Sequence, residues 1–236
     1  MNPFGEVARF MRAALVDPVP RDHQDTPTQR TRRRIVVGIT MLAGAVALGA
    51  ALAIRPGDTW FYPATMGVGV VWMIGALLSG KLHLGQAWTR TGQHSRAIVQ
   101  GLILGGLLLA IFLAGALVVD RIPALRGPVS GLLDHARYGS LPIVAIITAF
   151  NGVGEELFFR GAVYASFPRR INAIATTVLY ALSTVLSGVP LLTFAAVCLG
   201  LLTAAQRRVT GGVVGPIVSH LTWSLGMLFL LPLLIR

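Results

Sequence analysis

Long apolar stretches, broken by short polar segments, dominate the chain. Seven of them approach the roughly 17 to 25 residues that cross a bilayer as a helix. They lie at about 35–54, 60–79, 98–119, 142–165, 171–187, 190–206 and 212–235. The first three are sharply bounded. The fifth and sixth are shorter and more polar at their ends, which leaves open one hairpin packed within the others. No alternating segment of about ten residues recurs, as a transmembrane barrel would need. The pattern predicts an all-α polytopic membrane protein of about seven transmembrane helices.

Three polar regions refine this plan. Phe4, Val7, Phe10, Met11, Ala14 and Leu15 fall on one helical arc, with Glu6, Arg9 and Arg12 opposite. That suits a short amphipathic helix on the membrane surface, and a frayed tail equally well. Residues 17–29 carry the Pro, Asp and Thr of a flexible linker. The segments 80–97, with His83 and His94, and 120–141 are expected to be loops, the latter resting on the membrane surface. On the third span, Gly101 and Gly105 give the small-xxx-small spacing of close helix packing. The expected units are a basic tail (1–34), N-terminal spans and loops (35–139) and a C-terminal group of helices (140–236).

Composition agrees, with 54% apolar and 12% charged residues. With the N-terminus placed in the cytoplasm, 15 of the 20 Lys and Arg residues fall on the inner side, as the positive-inside rule requires. The net charge of +11 is therefore mostly topological bias and no nucleic-acid footprint. The Arg30–Arg34 run suits anionic lipid headgroups. A lone Cys198 forbids an internal disulfide. No cleavable signal peptide is evident, so residues 35–54 are expected to act as an uncleaved anchor in the cell's inner (plasma) membrane.

Against this background two adjacent acids stand out. Glu155 and Glu156 lie within an apolar run, and all other acids precede residue 135. A charge at bilayer depth costs roughly 2.5 to 3.5 kcal/mol even on the lenient insertion scale, so such residues usually mark a site. Residues four apart share a helix face, which pairs Glu156 with Arg160. Glu155 points about 100° away and has no obvious local partner. A carboxylate kept from water and from cations accepts a proton readily, as a general base must. The plainer reading is that both acids pair with basic groups at a helix end.

His220 is the other strongly polar side chain in a late span, and Ser224 shares its face. A lone helical histidine is more often a satisfied core group than a ligand, but depth favours a site here. At about 1.5 Å per residue, His220 lies roughly 12 Å in from the cytoplasmic end of its span. Glu155 lies roughly 10 Å from the same face of a core about 30 Å thick. Contact between the two is feasible.

GEELFFRG at 154–161, followed by VVGPIVSHLTWS at 213–224, resembles the CAAX-protease and bacteriocin-processing family of intramembrane endopeptidases (CAAX prenyl protease 2-like). That family carries Glu-Glu-x-x-x-Arg, then Phe-x-x-x-His, then His-x-x-x-Asn or His-x-x-x-Asp. The resemblance covers about 140 to 236. It implies Glu155 as the water-activating carboxylate with Glu156 as its neighbour, Arg160 holding that helix end, and His220 orienting or polarising the reacting groups. It implies cleavage of peptide bonds near the membrane, with prenylated CAAX peptides the best-known substrates.

Two positions depart from the pattern. Tyr180 and Thr184 stand where Phe and His belong, and Ser224 replaces Asn or Asp. A hydroxyl on Thr184 or Ser224 can still hold an oxyanion, but neither supplies an imidazole. A catalytic zinc wants three protein ligands, and only Glu155, His220 and in third place Glu156 offer themselves. No metal or other cofactor is expected, and His23, His83, His94 and His135 are assigned to tail or loops. Three functions follow: an endopeptidase with glutamate-activated water acting on a peptide or membrane-protein substrate, a catalytically degenerate scaffold, regulator or immunity protein, and an ion or proton path. The ionisable groups gather at one depth, which disfavours the last.

Overall fold

The computed structural model describes residues 3–21, 25–89 and 92–235. His23, Arg90 and Arg236, which entered the sequence reading, lie outside the described residues. The chain runs through α1 (Pro3–Leu15), α2 (Pro27–Leu52) and α3 (Phe61–Ser79), then a small hairpin of β1 (Ala87–Trp88) and β2 (His94–Ser95). It continues through α4 (Ile98–Val119), α5 (Pro123–Arg137) and α6 (Leu141–Glu156), a π-helical stretch (Leu157–Val163) and α7 (Tyr164–Ser166). Three helices close it: α8 (Asn172–Val185), α9 (Pro190–Thr210) and α10 (Val214–Leu234).

The expectation of an all-helical, polytopic membrane protein holds. Among the described residues, six helical segments are long and apolar enough to cross a membrane: α2, α3, α4, residues 141–166, α9 and α10. The predicted fifth span is the exception. With 14 residues α8 is too short, reaching about 21 Å, and it packs against α9 while Ile174, Val178 and Leu182 stay exposed on its other face.

Two boundaries differ from the sequence reading for local reasons. Helix α2 begins at Pro27, inside the expected linker and ahead of the division at 34 and 35. Thr26 and Gln29 form a reciprocal capping box, at 3.3 and 2.8 Å, and Pro27 is preset for a first helical position. The arginine run is therefore helical, and its faces separate. Arg33 turns inward to Asp25 (2.7 Å), Ser79 and the Lys81 carbonyl (3.2 Å each), while Arg30 and Arg32 stay exposed. The segment 120–141 is mostly α5, whose Val129 and Leu133 pack with Leu231 and Ile235 at the end of α10.

Lipid tails are as apolar as leucine, so helices in a membrane associate through close backbone approach and polar contacts. Gly101 and Gly105 do this between α4 and α10. A methyl group at Gly105 would lie 2.5 Å from the Ser219 carbonyl, and Ser219 donates to the Gly101 carbonyl at 2.9 Å. At the α3–α6 crossing, a methyl group on Gly154 would lie 2.9 Å from the Gly69 carbonyl. The core between these contacts is aromatic, with Trp72 stacked on Phe158 at 4.9 Å and Phe159 and Tyr180 alongside.

The end of the bundle nearest the N-terminal segment is tied by backbone. Residues 80–86 run beside the α9–α10 turn, where Val213 donates to His83 (3.0 Å) and Gln86 to Thr210 (2.9 Å). Helix α9 ends at Gly211 with φ +71°, a left-handed conformation that glycine adopts without steric cost. Arg21 caps that end through the carbonyls of Arg208 and Val209, and Val19 donates to Val209 at 2.9 Å.

Candidate active site

The glutamate pair sits at the last turn of α6, where the helix changes register. In the π-helical stretch the Tyr164 amide bonds to the Phe159 carbonyl, five residues back. Such widening is uncommon and often accompanies function. It offers carbonyls to side chains from neighbouring helices. Thr176 donates to the Phe159 carbonyl at 2.8 Å, and Arg207 Nε donates to the Arg160 carbonyl at 2.7 Å. Helices α8 and α9 thus hold the segment that carries the acids.

Glu156 and Arg160 are both fully buried and form the expected ion pair, 3.2 Å between Nη1 and Oε1. The same carboxylate oxygen lies 2.9 Å from His220 Nδ1 on α10. A carboxylate only accepts, so this contact puts a proton on Nδ1. The guanidinium of Arg160 lies over the Tyr180 ring, 4.6 Å from its centroid. Gly200 on α9 faces it, where a methyl group would touch Nη2 at 3.5 Å.

Glu155 faces another way and keeps 17% of its side chain exposed. It has a partner that the sequence reading did not assign: the Tyr180 hydroxyl donates to Oε2 at 2.6 Å. His220 Nε2 is 4.0 Å from the same oxygen. One imidazole therefore stands between the two acids, in contact with Glu156 through Nδ1 and facing Glu155 through Nε2. Gly152 lets α10 come this close, since a methyl group there would lie 3.5 Å from His220 Cδ2 and 3.0 Å from Leu221.

The structure brings together Glu155, Glu156, Arg160 and His220. Thr184 bonds elsewhere, its hydroxyl donating to the Ala181 carbonyl at 2.7 Å and lying 3.1 Å from Thr193 on α9. Ser224 Oγ is buried and makes no hydrogen bond with a described residue. Of the other histidines, His135 bonds the Ile54 carbonyl at 2.8 Å and packs on Phe61, and His94 packs on Trp88.

Among the described residues, no group of three or more His, Cys, Asp and Glu side chains is arranged to hold a metal ion. The two glutamates address opposite nitrogens of one ring.

Tyr180, Thr176 and Arg207 escaped the sequence reading as parts of the site. A signal for the first two was present. Thr176, Tyr180 and Thr184 recur every fourth residue along α8 and are all buried. Arg207 belonged to a pair of arginines that topology alone explained.

In comparison with known proteins, residues 137–226 match a family described as Type II CAAX prenyl endopeptidase Rce1-like. No curated protein and no solved structure matches the chain. The matched segment runs from the end of α5 into α10 and contains the glutamate pair, Arg160, Tyr180 and His220. Over these residues the chain is similar to the Rce1-like, type II CAAX prenyl endopeptidase family, a family of proteases.

Proposed function

We propose that the protein is a membrane-embedded endopeptidase of the CAAX-protease type in which Glu155 activates water. The observation that carries this reading is the setting of Glu155. It is a partly exposed acid within a span, fixed by Tyr180 at 2.6 Å and 4.0 Å from His220 Nε2. Glu155 takes a proton from a water molecule whose oxygen attacks the peptide carbonyl. The resulting oxyanion is stabilised by His220, which as imidazolium donates from Nδ1 to Glu156 and from Nε2 to the substrate. Arg160 and the ring balance the two carboxylates before the proton transfer, and Glu156 and the oxyanion after it. Preorganised donors of this kind are commonly worth roughly 3 to 4 kcal/mol each. Collapse of the tetrahedral intermediate breaks the C–N bond, and Glu155 returns its proton to the leaving amine. No cofactor takes part in these steps.

The basic residues support a cytoplasmic N-terminus, a site entered from the cytoplasmic face of the inner membrane, and anionic headgroups around Arg30 and Arg32. The substrate is a peptide or membrane protein with its cleavage site near that face. Purified protein in liposomes, given peptides with and without a prenylated C-terminal cysteine motif, tests the reading by mass spectrometry. Wild type cleaves and Glu155→Gln does not. Equal rates for the two proteins overturn it.

The bonding of Thr184 to Ala181 and Thr193 favours a second reading, a scaffold or regulator without hydrolysis. It predicts no cleavage by wild type and a binding partner retained by Glu155→Gln. Gain of cleavage in Thr184→His would identify a decayed enzyme.

A further inference from the structure

The proposed chemistry requires one oxygen of Glu155 to face the water and the other to be held still. The Tyr180 hydroxyl donates to Oε2 at 2.6 Å, a short charge-assisted contact. His220 Nε2 lies on that same side, at 4.0 Å. Among the described residues Oε1 accepts no hydrogen bond, and the side chain keeps its exposure. The two carboxylate oxygens are therefore inequivalent.

The phenol is itself rigidly placed. Its ring packs on Phe159 with centroids 4.7 Å apart. The Arg160 guanidinium covers one face at 4.6 Å, and a cation over an aromatic face is an attractive contact. Arg160 is in turn paired with Glu156, which His220 also touches. A ring so fixed aims its hydroxyl in one direction. Nothing in the family match or in the sequence reading gives this tyrosine a task.

We infer that Tyr180 is the positioning residue of the site, its hydroxyl holding Oε2 of Glu155 so that Oε1 is the oxygen that removes the proton from water. The inference rests on the endopeptidase reading. It adds no chemical step, because the phenol keeps its proton throughout and acts only through the carboxylate.

The test uses full-length protein in liposomes and two readouts. In cleavage assays Tyr180→Phe keeps the ring packing and removes only the donor. We expect kcat to fall roughly 10- to 100-fold with KM within about twofold, the scale of a lost hydrogen bond to a charged group. The second readout needs no substrate. With tyrosine carrying 13C at the phenol carbon, the infrared C–O stretch of Tyr180 is identified by its loss in Tyr180→Phe, and it shifts in Glu155→Gln. An unshifted band in Glu155→Gln, or wild-type kcat in Tyr180→Phe, overturns the inference. If wild type and Glu155→Gln are both inactive while the band shifts, the hydrogen bond stands. The endopeptidase reading, and with it the catalytic role of Tyr180, then falls.

Discussion

Arg207 donates from Nε to the backbone carbonyl of Arg160 over 2.7 Å, and so fastens the π-helical stretch to α9. The same guanidinium lies 5.2 Å from the centre of the Tyr164 ring. Its helix is capped two residues later, at the Val209 carbonyl, by Arg21. Side chains on either side of the acids, and not the acids alone, hold the wide helical turn open.

Removing that tie should loosen the turn. Arg207→Gln is expected to lower stability by about 1.5 to 3 kcal/mol, the range for a hydrogen bond made by a charged group. Thermal unfolding in detergent, followed by tryptophan fluorescence, reads it. A melting temperature within a degree of wild type would show that the turn does not depend on this contact.

The buried Glu156–Arg160 pair should behave as a unit. Deleting one member leaves an uncompensated charge, which typically costs about 3 to 5 kcal/mol. Arg160→Ala is therefore expected to unfold far more easily than wild type. The double variant Glu156→Gln with Arg160→Met should recover part of that loss. Additive losses in the double variant would mean that the two residues are not coupled.

Close approach of α6 and α10 sets where the imidazole stands. Replacing Gly152 with Val puts branched carbon against Leu221 and His220, where a single methyl group would already lie 3.0 and 3.5 Å away. We expect cleavage to fall by at least about tenfold through misplacement of His220, the scale that an ångström of displacement produces. Gly106→Ala is the control, because nothing lies within 4 Å of a methyl group there. Matching activities of the two variants would count against the proposed role of His220.

Much of this arrangement is legible in the sequence, because membranes punish charge. Glu155 and Glu156 announce themselves by lying in an apolar run, and four-residue spacing pairs Glu156 with Arg160. Depth arithmetic brings His220 to the same level, although its shorter contact is with Glu156 rather than Glu155. Contacts between helices distant in sequence are less legible. That Tyr180 meets Glu155, or that Thr184 turns to Thr193, depends on how α8 is rotated, and apolar periodicity fixes rotation poorly where apolar residues lie on the exposed face as well as the buried one. The start of α2 was readable from Thr26 and Gln29. The apolar count began eight residues later because arginines can occupy a helix as well as a loop.

The π-helical stretch also constrains how this chain can vary. Over residues 157–163 the backbone takes more residues per turn than an ordinary helix. Deleting one residue there would let the segment relax into a regular spiral. Residues beyond it would keep nearly their present direction relative to Glu155, because the wide turn takes up one residue more than an ordinary one. The carbonyls of Phe159 and Arg160 would then be engaged within the helix and lost to Thr176 and Arg207, so a one-residue deletion is the change that frees this turn from α8 and α9.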